Sequence, residues 1–310
     1  MSAGATVHVV GRGIVGSRLH RILSVPPGLP TVLHGGRWSP GGTEVGDVVV
    51  LAHGGPLADR AIELVERGRH VVTIGESLGE TARLMAMQSG DASLVVGASM
   101  SPGLCGLIAR HLADQLAVVD EIHVAIHGTA GPACARVHHR SLSGFAPAWH
   151  DGRWVDHVGG SGRQLCWFPE PVGAKDCYRA RVSTPFLLRE VFPEVSRISF
   201  RRSARRRDRF TAWLPMLSPP HPEGGVGALR VELRGADAAG GRQVVVAGVA
   251  ELVGTATAAT VAAFATAVAD GIMPTGPVAP GDAGLPTIDL LRRVGRHGVR
   301  LQEFTGIPTV

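Results

Sequence analysis

Short β-branched runs alternate with amphipathic stretches over the first third of the chain. The runs are Val7–Val10, Thr31–His34, Asp47–Leu51, His70–Ile74 and Ser93–Val96. The clearest helical stretch is Leu57–Arg69, where Leu57, Ala58, Ala61, Ile62, Leu64 and Val65 share one face. Such alternation predicts a parallel sheet with helices on both sides. From about Val119 the pattern changes. Glu121–His127, Ser196–Arg202, Leu229–Arg234 and Gln243–Val249 read as longer strands separated by irregular Gly/Pro/Trp-rich segments. Helices return at Thr255–Ala269 and Thr287–Val294, around the Pro/Gly loop Gly271–Leu285. The predicted class is α/β. A doubly wound parallel sheet occupies 1–118, an inserted α+β domain with a mixed or antiparallel sheet occupies 119–252, and C-terminal helices at 253–310 return to the first domain.

Composition narrows the options. Over 310 residues, 45% are hydrophobic and 18% charged, which excludes disorder as the main state. The apolar stretch Leu252–Ala269 is mostly Ala with four Thr, too weakly apolar to insert in a membrane, and reads as a buried helix. The start of the chain shows no basic segment or cleavage pattern. The four cysteines have no C-x-x-C pair and no metal-ligand spacing, which fits a reducing compartment and no metal. A soluble cytoplasmic protein is expected. The formal charge of +5 comes from one stripe, Arg197–Arg209; without its seven arginines and Asp208 the charge is −1. With no zinc-finger spacing and no aromatic RNA-binding signature, a nucleic-acid partner is not expected. Among 31 basic residues Lys175 is the single lysine, and the single tyrosine, Tyr178, lies three positions on.

The run VHVV-GRGIVG places Gly11, Gly13 and Gly16 between the first strand and a helix at Ser17–Leu23. A tight turn needs the first glycine, close approach of a pyrophosphate the second, and helix-on-strand packing the third. N–H groups at the helix start, from Ile14 and Val15 onward, then face the phosphates. This is the Rossmann arrangement for a dinucleotide. The end of the second strand reads VLHGGRWS, with no acid to bond a ribose hydroxyl. Arg37, Ser39 and the loop's own Arg12 instead suit a 2′-phosphate, so NADP is favoured over NAD.

The stretch Leu94–Leu112, LVVGASMSPGLCGLIARHL, resembles the fifth strand and following turn–helix of saccharopine dehydrogenase-like oxidoreductases, with Gly97 and Ser101-Pro102-Gly103. The order of glycine loop, Gly54–Gly55, Pro-Gly turn and inserted mixed domain also matches that family. The resemblance implies NAD(P) in the first domain and reduction of an imine, or oxidation of a secondary amine, formed between an amino acid and a carbonyl compound. It implies that Ala52, His53, Gly54 and Gly55 pass under the nicotinamide ribose. It also implies that Ser101, Pro102 and Gly103 start a helix whose N-terminus holds a substrate carboxylate. No catalytic residue of the better-known members matches a position here, and the chain is shorter than the lysine-pathway enzymes.

Hydride transfer to C=N or C=O needs a proton donor for nitrogen or oxygen. Three sources are present. In WFPEPVGAKDCY, Lys175 is a donor with Asp176 to orient it and Tyr178 as a second donor; the bland reading is a polar turn leading into a strand at Tyr178–Val182. The pair His138-His139 is similar to the His-His pair of dihydrodipicolinate reductases, although Ser143 and Gly144 replace their downstream lysine. In the arginine stripe, strand alternation would put Arg205, Arg207 and Arg209 on one face, where guanidinium forks suit an amino-acid carboxylate. Two functions follow: an NADP-dependent oxidoreductase acting on an amino-acid-like small molecule, or a non-catalytic NADP-binding sensor or partner subunit. By fold analogy, the open sheet of the second domain would pair in a homodimer.

Overall fold

The computed structural model describes residues 5–304, except Pro27, Gly36, Arg37 and Ser89. In chain order the elements are β1 (Val7–Val10), α1 (Ile14–Ser24), β2 (Thr31–His34), β3 (Val48–Leu51), α2 (Ala58–Glu66), β4 (His70–Thr73), α3 (Leu78–Met85) and β5 (Ser93–Val95). Then come α4 (Cys105–Ala113), β6 (Val118–His127), α5 (Pro132–Ser141), β7 (Phe145–His150), β8 (Arg153–Val158), β9 (Gln164–Trp167), β10 (Ala174–Arg179) and α6 (Thr184–Val191). The chain closes with β11 (Arg197–Ser203), α7 (Arg206–Phe210), β12 (Val226–Ala236), β13 (Arg242–Leu252), α8 (Val253–Ala269), β14 (Gly276–Val278), α9 (Thr287–Arg296) and β15 (Gln302–Phe304). These elements form two compact units. The first spans Met1–Leu104 and Gly254–Val299, the second Cys105–Val253 and Arg300–Val310.

The first unit holds a six-stranded sheet in the order β14-β5-β4-β3-β1-β2, with every pairing parallel. Its central strands VHVV and VVVL are buried at every position, as parallel strands covered on both faces must be. Strand order reverses between β1 and β3, so the loops after these two strands open side by side at the switch point. The Ala-rich α8 is packed all round. Ala256, Ala259, Ala263, Phe264 and Ala267 are all fully buried, and Gly254 lets its first turn reach Ile14 and Arg18 of α1. No helix among the described residues is long and apolar enough to cross a membrane.

The second unit is built on a nine-stranded mixed sheet. Seven strands run β15-β13-β12-β6-β11-β10-β9, with β7 joined to β11 and β8 joined to β7. Side chains alternate between its faces. Ile122, Val124 and Ile126 of β6 and Ile198 and Phe200 of β11 are buried on the face that α4 and α6 pack near. The opposite face carries Glu121, His123 and His127 of β6, with Arg197, Ser199, Arg201 and Ser203 of β11. Because β6 and β11 are parallel and in register, two His–Ser pairs recur along that face. His123 Nδ1 lies 2.7 Å from Ser199 Oγ, and His127 Nδ1 lies 2.7 Å from Ser203 Oγ.

Local structure differs from the sequence expectation at two features and places two others. The second unit starts at Cys105 and takes in residues 300–304, where β15 adds to β13. The predicted polar turn at Lys175–Asp176 is the body of β10, which ends at Arg179 rather than running on to Val182. The His138-His139 pair lies on α5, with both rings buried. The arginine stripe is not one strand: β11 stops at Ser203 and the chain turns into α7. Arg205, Arg207 and Arg209 therefore do not share a strand face.

Candidate functional site

The glycine loop of the first unit is shaped by what each glycine excludes. Gly11 has φ +131°, and a Cβ there would stand 2.4 Å from the Ala52 carbonyl oxygen. A Cβ on Gly16 would stand 1.9 Å from the Gly11 carbonyl oxygen. Those two glycines close the packing of α1 against the strand loops. Gly13 is different: nothing lies within 4 Å of its Cβ position, so its face is open. It is also the residue before α1, which has no side-chain cap and no acid in its first turn. An open, uncapped helix start with backbone donors of Ile14, Val15 and Gly16 fits a pyrophosphate. Ala52 is buried beside Gly11, while Gly54 and Gly55 are exposed, Gly55 at φ +104°. His53 bonds the Gly54 carbonyl oxygen through Nδ1 at 3.1 Å.

The end of β2 carries a chain of ring contacts. His34 Nε2 lies 3.0 Å from His8 Nδ1, and His8 Nε2 lies 3.2 Å from Asp47 Oδ2. Asp47 also accepts the backbone N–H groups of Thr6 and Glu44. Burial first, then His8 and Arg12, lowers the His34 pKa, which brings Arg12 electrostatically close to the strand end. The exposed Ser39 begins the short turn that follows, and Arg37 lies outside the described residues.

The turn Ser101-Pro102-Gly103 is buried throughout. A Cβ at Gly103 would meet Ala98 backbone atoms at 2.7 Å, and the neighbouring Met100 N–H donates to Thr257 Oγ1 of α8 at 3.2 Å. The turn packs against the sheet end, and the regular helix α4 starts only at Cys105.

In the second unit a cavity of about 520 Å³ opens where β6 and β11 end and β10 begins, with α5 along its wall. Its lining brings together Lys175, Asp176, His138, His139 and Arg205 of the expected residues. Lys175 extends from the same sheet face as His127 and Ser203, and it is in no hydrogen bond or ion pair with the described residues. Its neighbour Asp176 pairs with Arg163 at 2.9 Å. His138 Nε2 contacts Cys134 Sγ at 3.2 Å, and His139 Nε2 contacts Thr211 Oγ1 at 3.3 Å. Tyr178 and Arg207 are not in the lining. The Tyr178 ring is wholly buried 5.1 Å beneath the Arg209 guanidinium, and its hydroxyl meets no partner among the described residues. Arg207 is exposed and reaches Ser218 Oγ at 3.4 Å.

Three lining residues were given no role by the sequence reading. His127 is the last residue of β6, with Nδ1 held by Ser203 and the ring 6.1 Å from Phe168. Burial, then the charge of Lys175, pushes its pKa down, so the ring is neutral near pH 7. Its Nε2 has no partner among the described residues. Arg202 is 2% exposed and donates to Ser141 Oγ at 2.9 Å, a fixed cation in the cavity wall. His221 lines the rim. A histidine closing a predicted strand was the available signal for His127. Nothing local marks Arg202 among its neighbouring arginines.

No protein-family model and no curated relative matches the sequence. Solved structures do. Apo saccharopine dehydrogenase (L-Glu forming) from Saccharomyces cerevisiae superposes with a TM-score of 0.68 at 13% identity, over 97% of this chain and 99% of that one. The fold is shared. DAP dehydrogenase of C. glutamicum, in complex with DAP, gives a TM-score of 0.51 at 14% identity, over 93% and 96%. The saccharopine dehydrogenase-like architecture thus extends through the middle of the chain, where the sequence resemblance is weakest. Among the described residues no group of three or more His, Cys, Asp or Glu is arranged to hold a metal ion.

Proposed function

We infer that the protein is an NADP-dependent oxidoreductase that moves a hydride to or from an imine, secondary amine or carbonyl of an amino-acid-like molecule. The observation that carries this reading is the second-unit cavity, lined by Lys175, a neutral His127, Arg202 and Arg205, in a fold shared with two dehydrogenases of amino-acid-like compounds. The open face at Gly13 and the bare start of α1 would hold the pyrophosphate. Arg12, beside a strand end whose sequence VLHGGRWS has no acid, favours a 2′-phosphate over a free ribose hydroxyl.

When bound, the nicotinamide supplies or accepts the hydride. The chain's own residues do the rest. Arg205, exposed at the cavity, presents guanidinium donors to a substrate carboxylate. Lys175 donates the proton taken up by nitrogen or oxygen on reduction, and receives it on oxidation. Because Nδ1 of His127 is engaged by Ser203, Nε2 is the ring atom left to orient the substrate or exchange that proton with Lys175.

NADPH oxidation with 2-oxo acids plus ammonia or amino acids, and NADP reduction with secondary amino acids, tests the reading. Turnover that falls about 10²-fold in Lys175→Met, with NADPH affinity unchanged, is the expected result. Tight NADPH binding without turnover across such a panel would overturn it and leave the non-catalytic binding reading.

A further inference from the structure

A second cavity of the same unit, about 210 Å³, lies on the sheet face away from α4 and α6. It is lined by five arginines, Arg179, Arg197, Arg201, Arg230 and Arg234, with His157 beside them. Three of the five are neutralised. Arg230 and Arg234 bond the two oxygens of the buried Glu232, at 2.5 and 2.7 Å, and Arg197 and Arg234 lie 3.9 and 3.7 Å from Glu121. Arg179 and Arg201 are in no ion pair among the described residues, yet they are direct partners across the antiparallel β10–β11 ladder. Like charges in that position repel. Burial, then Arg179, holds the Arg201 guanidinium below its usual basicity, as an uncompensated pair requires.

The two side chains are nonetheless built into place. Gly162, in the turn between β8 and β9, has φ +61° and accepts an Arg201 Nη1 hydrogen bond on its carbonyl oxygen. A Cβ on the same glycine would stand 2.9 Å from both Cζ and Nη1 of Arg179, so a side chain there would push that guanidinium from its place. Arg179 Nη1 also reaches Ser161 Oγ at 3.5 Å. One glycine therefore seats two unneutralised guanidinium groups side by side. His157 adds a third donor, its pKa lowered by burial and then by Arg179 and Arg201. Two adjacent guanidinium forks complement a tetrahedral dianion. The space equals about seven water molecules, enough for a phosphate and a short substituent but not a nucleotide.

We propose that Arg179, Arg201 and His157 form a binding site for a phosphate dianion, free or as a small monoester, separate from the Lys175 cavity. The proposal does not rest on hydride transfer, and its test needs no turnover. Isothermal titration of the full chain with inorganic phosphate and with glycerol 3-phosphate distinguishes the two sources, against potassium chloride at matched ionic strength. Saturable binding of either probe, weakened about tenfold or more in Arg201→Gln and in Gly162→Ala and less in Arg179→Lys, is expected. Arg179→Gln removes the like-charge contact, so it should fold at least as well as the parent while losing phosphate binding. Heats that follow ionic strength alone, or equal phosphate affinity in Arg179→Gln and the parent, would overturn the assignment.

Discussion

On the proposed reading the two units would hold anionic small molecules with different materials. The loop at the β1–β3 switch point offers backbone: open space at Gly13, two glycines that admit no side chain, and a bare helix start. The cavity at the ends of β6, β10 and β11 offers side chains, with Lys175, His127, Arg202 and Arg205 brought together from positions far apart in sequence. A backbone site depends on what is missing from a short segment. A side-chain site depends on the register of several strands. Substitutions at the packed Gly11 and Gly16 should therefore act on folding and binding together, and those at the open Gly13 or in the second-unit cavity chiefly on binding or chemistry.

The strongest way to break that contrast is at the glycines. Gly16→Val must displace the Gly11 carbonyl, so it should lose NADPH binding and destabilise the fold by about 1–3 kcal/mol, seen as a lower Tm. Gly13→Val has free space for its side chain and should keep the parent Tm, while NADPH affinity measured by fluorescence falls about tenfold or more. Equal Tm losses in the two would show that the loop is a packing device only. In the second unit, Arg205→Met should weaken carboxylate-substrate binding about tenfold or more and leave NADPH affinity alone. A parallel loss of both affinities would merge two sites treated as distinct.

Cofactor preference is a finer test. Arg12→Gln should lower the NADPH-over-NADH ratio of kcat/KM by about tenfold, with little change for NADH. A variant that discriminates like the parent would remove Arg12 from the 2′-phosphate reading. The smallest expected effect is on pH. His123 and His127 have pKa values lowered chiefly by burial, so the unfolded chain binds more protons than the folded one as pH falls below about 6.5. Their share of stability is present above that pH and lost on acidification toward the folded pKa values. His127→Gln should flatten part of that acid limb in chemical denaturation from pH 7 to 5. An unchanged limb would mean that the ring is not held neutral.

The parallel core of the first unit was legible because its strands are continuous apolar runs and its glycines stand at a fixed spacing. Val7–Val10, Asp47–Leu51 and the loop at Gly11–Gly16 can be read without knowing what they touch. The start of α1 differs only in beginning at Ile14, directly after the open glycine. The second unit was readable only as strands. Its β7, β8 and β9 carry exposed Phe145, Trp154 and Trp167, which break the alternation that marks a half-buried strand. The rarity of Lys175 gave it an address but not a neighbourhood.

The sequence by itself determined the class of fold, the dinucleotide-type loop and the one lysine to watch, because each is set by local periodicity or by the absence of side chains. Tertiary structure decided the company these residues keep. It brought Lys175 beside His127, sank Tyr178 beneath Arg209, and divided the arginine stripe into a strand, a cavity wall and a short helix. The reason is geometric: a one-residue difference in strand register moves a side chain to the other face of a sheet. Only the pairing of β10 with β9 and β11 fixes which face Lys175, Arg179 and Arg201 share.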